Sequence, residues 1–103
     1  MSMIYRDECS DLGLPEPKIG EKQIHYVIRA MLNGHRLDTR MCRYIGIGNL
    51  HSLVSALTKL KLSFSLKHET VACPKTKKVL SHPVDVIWMT PEQIEDYWSK
   101  KKA

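Results

Sequence analysis

The feature that most limits what this chain can fold into is the short "GIG" at residues 46–48, which divides two helix-like patterns within residues 37–62. On its near side Asp38 can cap a helix, because its carboxylate can accept from backbone N–H groups one turn on. Leu37 precedes that cap and Cys42 follows at the fourth helical position, so the two can staple together. Met41, Cys42 and Ile45 supply the buried side, and Gly46 ends the helix. On the far side Asn49 can cap a third helix, with Ile47 and Leu53 in the same staple relation. Leu50, Leu53, Val54, Leu57 and Leu60 then form one apolar stripe. A continuous helix would need no such break, so the spacing predicts a tight corner.

The rest of the chain sets the context of that corner. Ile24, Val27, Ile28, Met31 and Leu32 recur at helical spacing and predict a first helix over residues 21–32, stopped by Asn33-Gly34. After "KLKL" the pattern changes. "SFSLKHETV" alternates and "VDVIWM" is rich in β-branched and aromatic residues, so residues 63–71 and 84–89 read as strands. The connection between them, "ACPKTKKVLSHP", is a long hairpin loop with a basic tip. Thr90-Pro91-Glu92-Gln93 opens a last helix, with Thr90 and Gln93 in capping-box positions. Ile94, Tyr97 and Trp98 are expected to dock that helix, with Trp88 packed under the hairpin. Residues 10–20 hold two prolines and two glycines. The predicted organisation is therefore an irregular arm over residues 1–20, a domain over 21–90, and a C-terminal helix with basic tail over 91–103. The fold class is mostly α with a β-hairpin.

Charge is unevenly spread. The chain carries 16 basic and 11 acidic side chains, net +5. Residues 1–20 are net −2, with two basic and four acidic groups, whereas residues 21–64 are net +5, with seven and two. A positive middle segment raises the case for nucleic acid. Cys9, Cys42 and Cys73 are odd in number and far apart, which argues against a disulfide framework. The first ten residues hold an acidic pair where a signal peptide needs a basic start, and no apolar run approaches membrane length. The expected setting is the cytoplasm, away from any membrane. The five histidines and three cysteines lack the paired spacing of structural zinc sites, and no phosphate-binding loop or nucleophile–base arrangement is present. No metal, cofactor or enzymatic activity is expected.

A corner of this kind places its second helix across its first, leaving one face clear of the body. At 100° per residue that face carries Ser52, Ser55 and Lys59, with His51 on the flank and Asn49 at the cap. No acid occurs over residues 48–62. The DNA major groove admits one such helix. Arg40 and Arg43 on the preceding helix, with Lys75, Lys77 and Lys78 at the hairpin tip, are candidates to hold phosphates, which supply affinity without sequence information.

Residues 21–89 resemble a winged helix-turn-helix domain, and are similar to the small family of phage and prophage proteins. The matching residues are "NGHRL" (33–37), "GIGNL" (46–50), "LVSAL" (53–57) and "VDVIWM" (84–89). The resemblance implies a three-helix core, a two-stranded wing, and double-stranded DNA binding through the third helix and the wing. A transcriptional regulator, or an accessory factor in replication or excision, would fit. Two-fold DNA sites would call for a homodimer, joined through the leader arm or the last helix. In two respects the chain departs from the family. Val54-Ser55 stands where such domains often place an arginine, and the hairpin connection is longer. The alternative is a protein-interaction module on the same fold, binding and inhibiting a host or defence complex as a partner.

Overall fold

The computed structural model describes residues 4–79 and 81–102. The first three residues of the expected arm, Leu80 of the hairpin connection and Ala103 of the tail lie outside the described residues. The element order is α1 (Arg6–Asp11), α2 (Gln23–Leu32), β1 (Leu37–Asp38), α3 (Thr39–Tyr44), α4 (Leu50–Lys59), β2 (Ser65–Glu69), β3 (Val84–Trp88) and α5 (Pro91–Lys102). The strands form one antiparallel sheet in the order β1-β3-β2.

The helix starts follow the caps. Asp38 accepts from the Met41 N–H at 2.9 Å, and Asn49 from the Ser52 N–H at 3.0 Å. Thr90 and Gln93 bond each other reciprocally, at 3.2 and 2.9 Å, ahead of α5. The helix α2 starts two residues later than expected because Glu21 is engaged elsewhere. Its carboxylate binds Arg29 through both oxygens, at 2.8 and 2.9 Å, and accepts from the Lys18 N–H.

The ends of α1, α2, α3 and α4 share one device. After α3 the N–H of Ile47 bonds the Cys42 carbonyl at 2.7 Å, and the Gly46 N–H bonds that of Arg43 at 3.2 Å. This is the Schellman arrangement, which needs a left-handed residue just past the helix. Gly46 supplies it, with φ of 99°. The same pair of bonds closes α1 around Gly13, α2 around Gly34 and α4 around Lys61. At Lys61, φ is 59° without the freedom of a glycine.

Two expectations about the backbone elements need correction. The arm over residues 1–20 is not irregular throughout: residues 6–11 form α1, and Ile4, Cys9 and Leu14 are buried in the core. The Tyr26 hydroxyl donates to the Pro15 carbonyl at 2.7 Å and lies 3.2 Å from the Cys9 sulfur. Burial pushes the Cys9 thiol and the Tyr26 hydroxyl above their ordinary values. Arg29 reaches the Glu16 carbonyl at 2.8 Å. The leader is thus part of the domain. The second correction is the hairpin, which gains a third strand. Leu37 pairs with Ile87, and Asp38 with Val86. A two-residue strand has no alternation to read; it exists because β3 supplies its partners.

The sheet's two faces are distinct because side chains alternate along a strand. Ile87 and Met89 enter the main core with Leu37, while Val86 is buried on the opposite side, apart from that core. Trp88 is half-buried, with Arg36 4.5 Å and Lys67 5.6 Å from its ring centre. Trp98 does not dock α5 as expected. It is 48% exposed and meets Tyr97 edge-on at 5.1 Å, while Tyr97 and Ile94 pack on the core. No helix of the described residues is long and apolar enough to cross a membrane.

Candidate nucleic-acid interface

The corner at Gly46 presents α4. Leu50, Val54 and Leu57 are buried, which anchors one side of the helix by about 1.5–3 kcal/mol for each fully buried side chain. Asn49, His51, Ser52, Ser55, Thr58 and Lys59 are exposed. The predicted outward set is therefore on the surface, on one helix. The Asn49 oxygen is already engaged by the Ser52 N–H, so Asn49 holds the helix start. In sequence no acidic residue lies between Asp38 and Glu69, a stretch that includes all of α3 and α4.

The corner is braced from behind. The Ile45 carbonyl, one of the acceptors a helix C-terminus leaves free, receives the Tyr5 N–H at 2.8 Å. The Gly46 carbonyl receives the Gln23 side-chain amide at 3.5 Å. Ile45 and Ile47 are fully buried on either side of the turn.

The predicted phosphate residues divide into two groups. Arg43 is exposed in the last turn of α3, and Lys75, Lys77 and Lys78 are exposed in the hairpin connection. The tip they occupy is a closed turn. The Cys73 N–H bonds the Lys78 carbonyl at 2.8 Å, and the Lys77 N–H bonds the Cys73 carbonyl at 2.8 Å. An Ala72–Val79 bridge extends the hairpin below it. Lys77 takes φ of 63°, the left-handed bend that completes the turn. Arg40 differs from the other four. It is half-buried at the start of α3, and its Nε is buried without a hydrogen-bond partner among the described residues. Arg40 lies near Asp38 and Cys73, contributing to the charge environment of both.

Cys73 has a tuned environment. The backbone N–H groups of Thr76 and Lys75, with the Thr76 hydroxyl, hold its thiol below the ordinary value. Cys42 is the opposite case, pushed up to about 12 by burial. All three cysteines are free.

Sequence reasoning missed one constellation. Asp85 of β3 is 12% exposed in its side chain, and its two oxygens face two imidazoles. His51 Nδ1, in the first turn of α4, lies 3.4 Å from Oδ2. His68 Nε2, directly opposite on β2, lies 2.7 Å from Oδ1. A largely buried carboxylate needs such partners. The available signal was the alternation of "VDVIWM", which gives Asp85 the same facing as Ile87 and so points an acid toward the helices. Among the described residues no group of three or more His, Cys, Asp or Glu side chains is arranged to hold a metal ion.

Comparison of the chain with protein-family models, with curated proteins and with solved structures returns no match.

Proposed function

We propose that this chain is a winged helix-turn-helix DNA-binding protein of phage or mobile-element type, with α4 entering the major groove and the β2–β3 hairpin as the wing. The observation that carries the reading is the exposed, acid-free face of α4 beside a hairpin tip bearing Lys75, Lys77 and Lys78. The order α2-β1-α3-α4-β2-β3, with β1 on the far edge of the hairpin's sheet, supports the same reading. In it, His51, Ser52, Ser55 and Lys59 face the base edges, and Asn49 secures the helix start. Arg43 and the three wing lysines hold phosphates, and Arg40 stands behind them near the foot of the wing tip. Transcriptional regulation, or assistance to replication or excision, is the role this binding would serve in the host cytoplasm.

The short side chains of Ser52 and Ser55 and the half-buried Arg40 favour a second reading, in which the same surface meets an acidic protein. Salt separates the two. Four phosphate contacts, from Arg43 and the wing lysines, would give a slope of log affinity against log salt of about −3.6. Binding to random duplex DNA, followed by fluorescence anisotropy, is expected to weaken steeply between 50 and 200 mM salt. Lys77→Glu with Lys78→Glu is expected to reduce it for every sequence. Absence of duplex binding at low salt rejects the DNA reading.

A further inference from the structure

The His51–Asp85 contact joins the first turn of α4 to the middle strand of the sheet, and its geometry specifies which ring nitrogen of His51 is free. His51 is the second residue of α4, and its side chain is 85% exposed. Its Nδ1 points back to Asp85 Oδ2 at 3.4 Å. A carboxylate accepts and does not donate. The proton on a neutral ring is therefore drawn to Nδ1, and Nε2 is left as an acceptor. Asp85 is itself held in place, being 12% exposed and in direct cross-strand register with His68, whose Nε2 stands 2.7 Å from the other oxygen. A partner on one ring nitrogen setting the state of the other is a general property of histidine.

We infer that Asp85 is a positioning residue for duplex recognition: by taking the Nδ1–H of His51 it presents His51 Nε2 as a hydrogen-bond acceptor at the start of α4, which selects an amino donor on a base edge. In the major groove those donors are adenine N6 and cytosine N4. On the strand it faces, His51 then prefers adenine or cytosine over guanine or thymine at one position, by on the order of tenfold. First-turn residues of a recognition helix are the ones that meet base edges. This inference rests on the DNA reading, and deepens it by naming which edge is read.

Two measurements test it, and they fail separately. Long-range proton–nitrogen spectra of the free wild-type protein at pH 8 report the tautomer. His51 is expected to carry its proton on Nδ1, and in Asp85→Ala to return to the Nε2–H form that an unpartnered histidine side chain prefers. A wild-type His51 protonated on Nε2 overturns the inference, and needs no variant to do so. Selection from random duplexes is then run on wild type, His51→Ala and Asp85→Ala. Both variants are expected to lose preference at the same single position. An Asp85→Ala protein that keeps the preference overturns the positioning role. If His51 has the expected tautomer but no duplex is bound at low salt, the DNA reading has failed and the base contact falls with it. If duplex is bound but His51 has the other tautomer, the inference alone has failed.

Discussion

The backbone N–H of Tyr5 donates to the carbonyl of Ile45 across 2.8 Å, so the leader of the chain bonds directly to the last residue before the corner. The buried leader residues are expected to behave as core. Leu14→Ala should lower unfolding free energy by about 2–5 kcal/mol, as for other buried leucines. Ile19→Ala, five residues on but 99% exposed, should change it by less than about 0.5 kcal/mol. Urea denaturation of the two variants checks this, and equal effects would refute the assignment of the leader to the core.

Lys61 holds a left-handed conformation that glycine adopts at no steric cost. Lys61→Gly is therefore expected to stabilise the fold by up to about 1 kcal/mol, even though it removes a helix-flanking cation. Gly46→Ala imposes the reverse strain and should destabilise by about 1–2 kcal/mol. The shift in urea midpoint at unchanged slope is the readout. A destabilised Lys61→Gly would mean that the lysine side chain matters more than its backbone.

Asp38 combines a cap with a buried carboxylate. Burial raises its pKa above the ordinary 3.8, against the pull of the Met41 and Arg40 N–H groups and the Arg40 charge. A carboxyl whose folded value is raised favours folding below the unfolded value, and that contribution is lost as pH rises through the folded value. Asp38→Asn keeps an acceptor for the cap and removes the charge. It should be neutral or stabilising at pH 7 and should flatten the fall in stability from about pH 4 upward. Asp38→Ala should cost about 1 kcal/mol through loss of the cap, and the cost should be largest at low pH, where the wild-type carboxyl contributes most. Denaturation at pH 4 and pH 7 separates the two, and a strongly destabilised Asp38→Asn would show that the ionised form is the one the fold needs.

The three thiols should react in a set order. Cys73 is accessible and its thiol is held below the ordinary 9.0, whereas Cys9 and Cys42 are fully buried with raised values. The thiolate is the reactive form. Native protein treated with iodoacetamide near pH 7.5 should gain one label, at Cys73, and unfolded protein three. Thr76→Val should slow the native reaction. Labelling of Cys42 at a comparable rate would contradict its burial.

Local chemistry accounts for what could be read in advance. Asp38, Asn49 and the Thr90–Gln93 pair cap their helices because capping depends on residues within one turn. Gly46 and Gly34 end theirs because left-handed geometry is a single-residue property. The elements that escaped are those made by distant partners. β1 forms only when Val86 and Ile87 lie beside it. The leader reads as loop because its prolines and glycines are visible locally, while the burial of Cys9 against Tyr26 is not. His51 was legible as an outward residue, but its link to Asp85 spans 34 positions and crosses from helix to sheet. Trp98 was misplaced because helical spacing sets a side, not how far the core extends beneath it.

The bracing of the corner bears on how far the α3–α4 unit could be moved. Its carbonyls at Ile45 and Gly46 are served by Tyr5 and Gln23, and the first turn of α4 is steadied by Asp85. None of those three supports lies within residues 37–62. A graft of that segment onto a foreign scaffold would carry the helices and the glycine but leave the angle between them to be re-established by the host. The pair is a joint whose fittings belong to the rest of the molecule, and is not a portable cassette.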